Sequence, residues 1–206
     1  MEEDVKYWID KGNELSDTKK YEEAIKCFEK ATEIETENAG FLKYFGNALC
    51  NLAKVKQDEV LFKEAIEKLE KSIQLNPGDA EAISKLGYAF YELARIKQDE
   101  PLFNKAIEKF EKSIQLNPND ADTFYYWGYT LYELAKIKQD ESLFKEAIEK
   151  FEKSIQLNPD DAEAFRYWGF TLYELARIKR DEELFREAIR KYEKSLEIKL
   201  ENTDSF

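Results

Sequence analysis

Aromatic, acidic and basic side chains recur in this chain at a fixed interval, and together they could form a binding surface. Tyr88, Tyr129 and Phe170 stand 41 residues apart, as do Tyr91, Tyr132 and Tyr173. Glu92, Glu133 and Glu174 repeat with the same step, followed three residues later by Arg95, Lys136 and Arg177. Rings with hydroxyl handles, interleaved with charge, suit recognition by contact area and hydrogen bonding rather than bond-making. Each feature also has a packing explanation. A tyrosine reused in tandem units fills space between neighbouring helices, and an acid–base pair on a helix is an ordinary solvated face. Components for catalysis are few. Ser72, Ser113, Ser154 and Ser195 recur, but the chain has no histidine to activate a hydroxyl, so a small residue between helices is their expected role. Two cysteines, Cys27 and Cys50, make neither a disulfide framework nor a zinc ligand set. Cys50, on the aromatic stripe, reads as a small apolar filler. No acidic loop has calcium-site spacing and no glycine-rich phosphate cradle is present. The expectation is a chain that is not an enzyme and needs no metal or cofactor.

The elements that position these residues follow from internal repetition. Asn76-Pro77, Asn117-Pro118 and Asn158-Pro159 are spaced by 41 residues, and the segment 76–116 matches 117–157 at 28 of 41 positions. Gly46, Gly87, Gly128 and Gly169 share the step, with Gly12 placed 34 residues before Gly46. After each glycine comes an alanine (Ala24, Ala65, Ala106, Ala147, Ala188). Four residues further on stands a ring or leucine (Phe28, Leu69, Phe110, Phe151, Tyr192), and three beyond that a small residue. Glycine on one helix and alanine on the next let two backbones approach while the ring fills the space beside them, which predicts a helical hairpin.

These residues resemble the tetratricopeptide repeat, in which a bulky residue, leucine-glycine, a later alanine, an aromatic and an inter-repeat proline recur. The resemblance covers nearly the whole chain and implies an all-α, right-handed superhelical solenoid of five antiparallel helix hairpins in a single domain. Its repeats fall at about 1–34, 35–75, 76–116, 117–157 and 158–198, with a polar tail at 199–206. The sequence departs from the family pattern in placing Leu42, Ile83, Phe124 and Phe165 at the tryptophan position, while Trp127 and Trp168 take the leucine position before glycine. Seven extra residues in repeats two to five, about two helical turns, predict one added turn on each helix of those hairpins. Lys136 and Lys138 close one helix and Asp140 opens the next. Asp58, Asp99 and Asp181 are the corresponding N-caps.

In the tetratricopeptide fold the first helices line a concave groove, and helical rotation assigns residues to it. Asn13, Asn47, Tyr88, Tyr129 and Phe170 follow the glycines, and Tyr91, Tyr132 and Tyr173 lie three residues further. Tyr44, Tyr125, Tyr126 and Tyr167 extend the stripe, and Arg95, Lys136 and Arg177 lie one turn along. The resemblance therefore implies protein–protein recognition, with a partner's peptide or helix held in an aromatic groove and Tyr88, Tyr129, Tyr132 and Tyr173 as anchors. Family members that clamp a C-terminal carboxylate use basic and amide donors at positions held here by Ile9, Asn13, Tyr44, Glu81 and Lys85. An apolar residue, a ring and an acid at three of these disfavour that ligand.

The net charge of −12 argues against nucleic acid and anionic membrane surfaces as partners, and favours partners bearing basic residues. No apolar run approaches the ~18 residues that span a bilayer, and the start Met1 to Val5 lacks a basic, apolar signal, so a cytoplasmic location is expected. Alternatives remain open: a self-assembling repeat module, a designed repeat array, or an RNA-binding helical repeat that stacks bases on tyrosine. The last hairpin ends in Leu196, Ile198 and Leu200 followed by no further amphipathic helix, which suggests cover by self-association or by sequence missing from this chain.

Overall fold

A computed structural model describes residues 4–35 and 37–203 of the chain. They form ten helices: α1 (Val5–Asp17), α2 (Tyr21–Ile34), α3 (Ala39–Lys56), α4 (Glu59–Leu75), α5 (Ala80–Lys97), α6 (Glu100–Leu116), α7 (Ala121–Lys138), α8 (Glu141–Leu157), α9 (Ala162–Lys179) and α10 (Glu182–Thr203). No strand occurs among the described residues. Odd and even helices pair in the five hairpins of a tetratricopeptide-like fold. The chain divides into two compact units, 1–109 and 110–206.

The extra residues of the long repeats lengthen both helices, as their number predicts. α1 and α2 have 13 and 14 residues, whereas α3 and α4 have 18 and 17, about one added turn on each. The turn between the helices is set by charge and capping. Asp58, Asp99, Asp140 and Asp181 each accept from backbone N–H groups at the start of the second helix. The preceding residue is left-handed without being glycine: φ lies at 53–55° for Gln57, Gln98, Gln139 and Arg180. The three glutamines offset this cost by donating side-chain N–H to the carbonyl three residues back, at 2.8 Å in each case. Asn38, Asp79, Asp120 and Asp161 cap the first helices of the later hairpins in the same manner.

Within a hairpin, the contact foreseen between glycine and ring is the tightest point. A Cβ on Gly169 would come 2.7 Å from Cε1 of Tyr192, and one on Gly46 would meet Leu69 Cγ at 2.7 Å and the Ala65 carbonyl at 3.1 Å. The recurrent serine does more than stay small. Ser72, Ser154 and Ser195 donate to the carbonyls of Ala39, Ala121 and Ala162 at 2.7–2.9 Å, tying the end of each second helix to the start of its partner.

Neighbouring hairpins join by rings and ion pairs. In the first unit Phe28 of α2 meets Phe41 and Phe45 of α3 at 5.9 and 5.6 Å between centroids, and Lys43 bridges to Asp79 at 3.0 Å and Glu81 at 2.6 Å. In the second unit Tyr125 and Tyr129 of α7 meet Tyr167 of α9 at 6.0 and 4.3 Å, while within single helices Phe124 stacks on Trp127 and Phe165 on Trp168. Lys150 and Lys191 lie over the two indoles, 4.2 and 3.3 Å from their centroids. The exchange of bulk read from the sequence is therefore accommodated, with a lysine stem added on each indole face.

The C-terminal boundary differs from expectation. Residues 199–203 continue α10, and Lys199 pairs with Glu163 at 2.8 Å, so only 204–206 of the expected tail lie outside the described residues. Where the three preceding repeats end a helix with Asn-Pro, this one reads Lys199-Leu200, and no proline stops the helix there.

Two glycine substitutions should act with opposite sign. Gly169→Ala drives a methyl into the Tyr192 ring and is expected to cost about 1–3 kcal/mol. At Gly40 the nearest atom to a new Cβ is Asn38 Oδ1 at 3.5 Å, so Gly40→Ala should stabilise by about 0.5 kcal/mol. Shifts of the urea midpoint in opposite directions check both.

Candidate functional site

In the first unit, α1, α3 and α5 bring Asn13, Ser16, Tyr44, Asn47, Glu81 and Lys85 around a cleft of about 340 Å³. Three of the residues assigned to a groove, Asn13, Tyr44 and Asn47, meet there. Tyr44 is exposed, both amides are half-buried, and the buried hydroxyl of Ser16 has no hydrogen-bond partner among the described residues. Glu81 does not stand alone as a repelling charge, because Lys43 and Lys85 flank it at 2.6 and 3.3 Å. Burial alone would raise the Glu81 carboxyl, and the two ammonium groups outweigh it and hold it below the usual range. Asp79 is held low in the same way, against its own burial, by the Ala82 N–H and Lys43.

Further along α5 the anchors change character. The Tyr88 hydroxyl donates to Glu92 Oε1 at 2.8 Å and accepts from Lys54 Nζ at 2.7 Å. Glu92 is 2% exposed, with Lys54 at 3.3 Å and Arg95 at 2.9 Å. This corrects the expectation of a solvated acid–base face at Glu92. The lysine comes from the preceding hairpin, and the carboxylate is the hub that joins α3 to α5. Tyr91 is also corrected as a groove-surface residue: it is 2% exposed and packs towards Phe103. Cys50 is buried, and burial followed by the nearby Glu92 charge pushes its thiol far up, which makes it the inert filler foreseen.

In the second unit α7 and α9 carry the largest ring cluster. Tyr129 and Tyr167 lie 4.3 Å apart by centroid, Tyr125 sits 6.0 Å from Tyr167, and Phe170 5.7 Å from Tyr167. Arg166 covers Tyr167 at 4.6 Å. Tyr125, Tyr129, Tyr167 and Phe170 are half-buried and Tyr173 is 45% exposed. Tyr132 is corrected as an anchor in the same way as Tyr91: it is 7% exposed and sets its ring edge-on to Phe144. Burial raises the phenols of Tyr125 and Tyr132 far above their ordinary value and pushes that of Tyr192, beside Phe170, up to about 12. All three remain neutral donors at physiological pH. Lys136 and Arg177 are exposed and pair with Glu133 at 3.5 Å and Glu174 at 2.8 Å; these are the solvated pairs their spacing suggests.

A second cleft of the first unit, about 590 Å³, has Lys19, Lys20, Glu22, Lys54, Val55 and Lys56 among its walls. It arises where the short first hairpin meets the longer α3, whose Val55 is 72% exposed. The 34-residue first step was its only signal in the sequence. No group of acidic or cysteine side chains among the described residues could hold a metal ion, and no described helix is long and apolar enough to cross a membrane.

Comparison with known proteins agrees with this architecture. A family model described as regulator of microtubule dynamics protein 1-3 matches residues 8–205. No curated protein sequence matches the chain. Among solved structures, a MamA double mutant from strain RS-1 is similar with a TM-score of 0.71 at 20% identity, covering 98% of this chain and 97% of that one. MamA from Desulfovibrio magneticus RS-1, residues 41 to the end, gives 0.70 at 20% identity and 96% of both chains. Another MamA crystal structure gives 0.67 at 24% identity, covering 94% and 96%. At this identity the likeness establishes the fold.

Two outcomes follow from the charges. Lys54→Met combined with Arg95→Met leaves the Glu92 carboxylate buried without a counter-charge. It should destabilise the chain by about 2 kcal/mol, and adding Glu92→Gln should recover at least half of that in urea unfolding. The depressed carboxyls of Asp79 and Glu81 contribute stability that is present above their ordinary values of 3.8 and 4.5 and is lost as pH falls through their folded values. Lys43→Met should flatten that acid limb of the stability–pH curve while leaving the slope between pH 6 and 8 unchanged.

Proposed function

The chain belongs to the regulator of microtubule dynamics protein 1-3 family, and we propose that it acts without chemistry, as a tetratricopeptide-like scaffold that holds a peptide or helix of a protein partner. The observation that supports this is the ring surface of α7 and α9. Tyr129, Tyr167 and Phe170 are half-buried and mutually packed, so their rotamers are fixed before a ligand arrives, and Tyr173 adds an exposed ring. Ordered rings of this kind give contact area at low entropic cost. In the first unit, the cleft with Asn13, Asn47 and Tyr44 offers amides and a phenol to the backbone of an extended segment. Partners with basic residues are favoured by the acidic balance.

A second reading, self-association, is favoured by one specific observation: Ile189, Leu196 and Leu200 of α10 are 54%, 62% and 65% exposed.

The peptide reading is tested by selecting from a random displayed peptide library on the immobilised chain and measuring the selected peptides by calorimetry. Tyr129→Ala with Tyr173→Ala should weaken them at least about tenfold at unchanged helicity. Equal affinity for native and variant chains would place binding elsewhere and overturn the assignment.

A further inference from the structure

The second helices of the earlier hairpins bury one apolar stripe against the hairpin that follows. Ile66 of α4 is 9% exposed and Ile148 of α8 is half-buried. Ile189 is their equivalent in α10, one and three repeats on, and it is 54% exposed. Leu196 replaces the half-buried Ile155 of α8 and is 62% exposed. The inner side of α10 is fully engaged, with Ser195 and Ile198 each 3% exposed, so the outer stripe belongs to an ordered helix. The extension past the Asn-Pro position adds to it: the extra turn puts Leu200 on the stripe and Glu201 beside it.

What could cover this stripe is constrained by charge. At 100° per residue, Ile189, Leu196 and Leu200 fall within about 40° of one line. Arg186, Arg190, Glu193, Glu197 and Glu201 lie along one flank of it, with bases in the N-terminal half, acids in the C-terminal half, and the exposed Glu193 between them. The existing pairs of Arg186 and Arg190, with Glu182 and Glu183, are 3.6–3.9 Å long between side chains at least 60% exposed, and Glu197 pairs with Lys194 at 2.9 Å between side chains 55% and 44% exposed; surface pairs of this kind are weak and exchangeable. A helix carrying this flank is complementary to itself when reversed. Arg190 then stands opposite Glu197 and Arg186 opposite Glu201, while Ile189 faces Leu200. Head-to-tail stacking is disfavoured by α1. Tyr7 and Lys11 occupy the positions at which Phe41 and Phe45 of α3 meet the preceding helix, and Lys11 donates to the Tyr7 hydroxyl at 3.2 Å. A lysine ammonium at the knob position would be desolvated by such a contact.

We infer that α10 is a homodimer interface, in which two copies of the chain pair antiparallel about a two-fold axis near Glu193 and Leu196. This rests on the self-association reading and gives it a surface, an orientation and a register.

Sedimentation equilibrium across the micromolar range tests it with two charge-reversal variants, Arg186→Glu/Arg190→Glu and Glu197→Arg/Glu201→Arg, at exposed positions whose helicity is checked by circular dichroism. The native chain should dimerise. Each variant alone should associate at least about tenfold more weakly, and an equimolar mixture of the two should return to within about threefold of native affinity, because every cross-pair is then complementary. Leu196→Glu should abolish dimerisation in every combination. A native dimer indifferent to both reversals would overturn the α10 pairing and leave self-association standing through another surface. Reversals that weaken without rescue on mixing would overturn the antiparallel register. A native chain monomeric throughout would overturn both, and would leave the stripe to a different protein.

Discussion

Everything in each hairpin depends on how closely its two helices approach at the glycine. At Gly169 and Gly46 the opposing side chain lies where a Cβ would be, so the helices sit nearer than any other residue would allow. That proximity lets the serine hydroxyl near the end of the second helix reach the first-turn carbonyl of its partner. It also fixes which faces of the first helices remain outside the hairpin. The tyrosines of α7 and α9 are brought together by this geometry: once two hairpins are locked and stacked in one way, residues one repeat apart must become neighbours. Tyr125 and Tyr167, close to one repeat apart, are therefore 6.0 Å apart in space.

Much of this was legible because it is periodic. Glycine, alanine and ring recur at one step, and the helix lengthening is a count of residues. The N-cap aspartates stand at predictable helix starts. What escaped is what periodicity does not carry. The left-handed Gln57, Gln98 and Gln139 have no glycine to announce them, and their stabilising bond is a side-chain return to the backbone that composition does not reveal. Tyr91 and Tyr132 were assigned to a surface by helical rotation alone. Their rings meet Phe103 and Phe144 on the second helix, but Tyr173 meets Phe185 in the same way and stays 45% exposed; Tyr132 is also covered by Tyr167 of the following hairpin. An angular position on one helix says nothing about what the next hairpin lays over it.

Glu92 shows the same limit in electrostatic terms. Its equivalents Glu133 and Glu174 pair with the base three residues on and stay partly solvated, with side-chain exposures of 20% and 22%. Glu92 has the same local pair in Arg95, and becomes buried because Lys54 arrives from the previous hairpin and Tyr88 closes over it. A charge bound from three directions tolerates desolvation that a single exposed pair would not justify. Arg95 and Lys136 stand one and two repeats on from Lys54, so bases are available at all three levels, and what sets Glu92 apart is the contact made rather than the residue types.

It follows that in a chain made of near-copies, individuality is concentrated where a repeat departs from its template. Conserving the shared positions reproduces the hairpin and little else. The short first repeat opens a lysine-lined cleft beside α3. The third buries a carboxylate and ties α3 to α5. The fourth and fifth exchange leucine for tryptophan and crowd rings onto α7 and α9. The last exchanges a helix-ending Asn-Pro for Lys199-Leu200 and so prolongs an apolar stripe that its siblings cover. Each departure leaves the glycine–ring contact intact, which is why the fold absorbs it. A scaffold of this kind can gain a binding face by changing residues that its hairpins do not need, and the faces so gained differ from one repeat to the next.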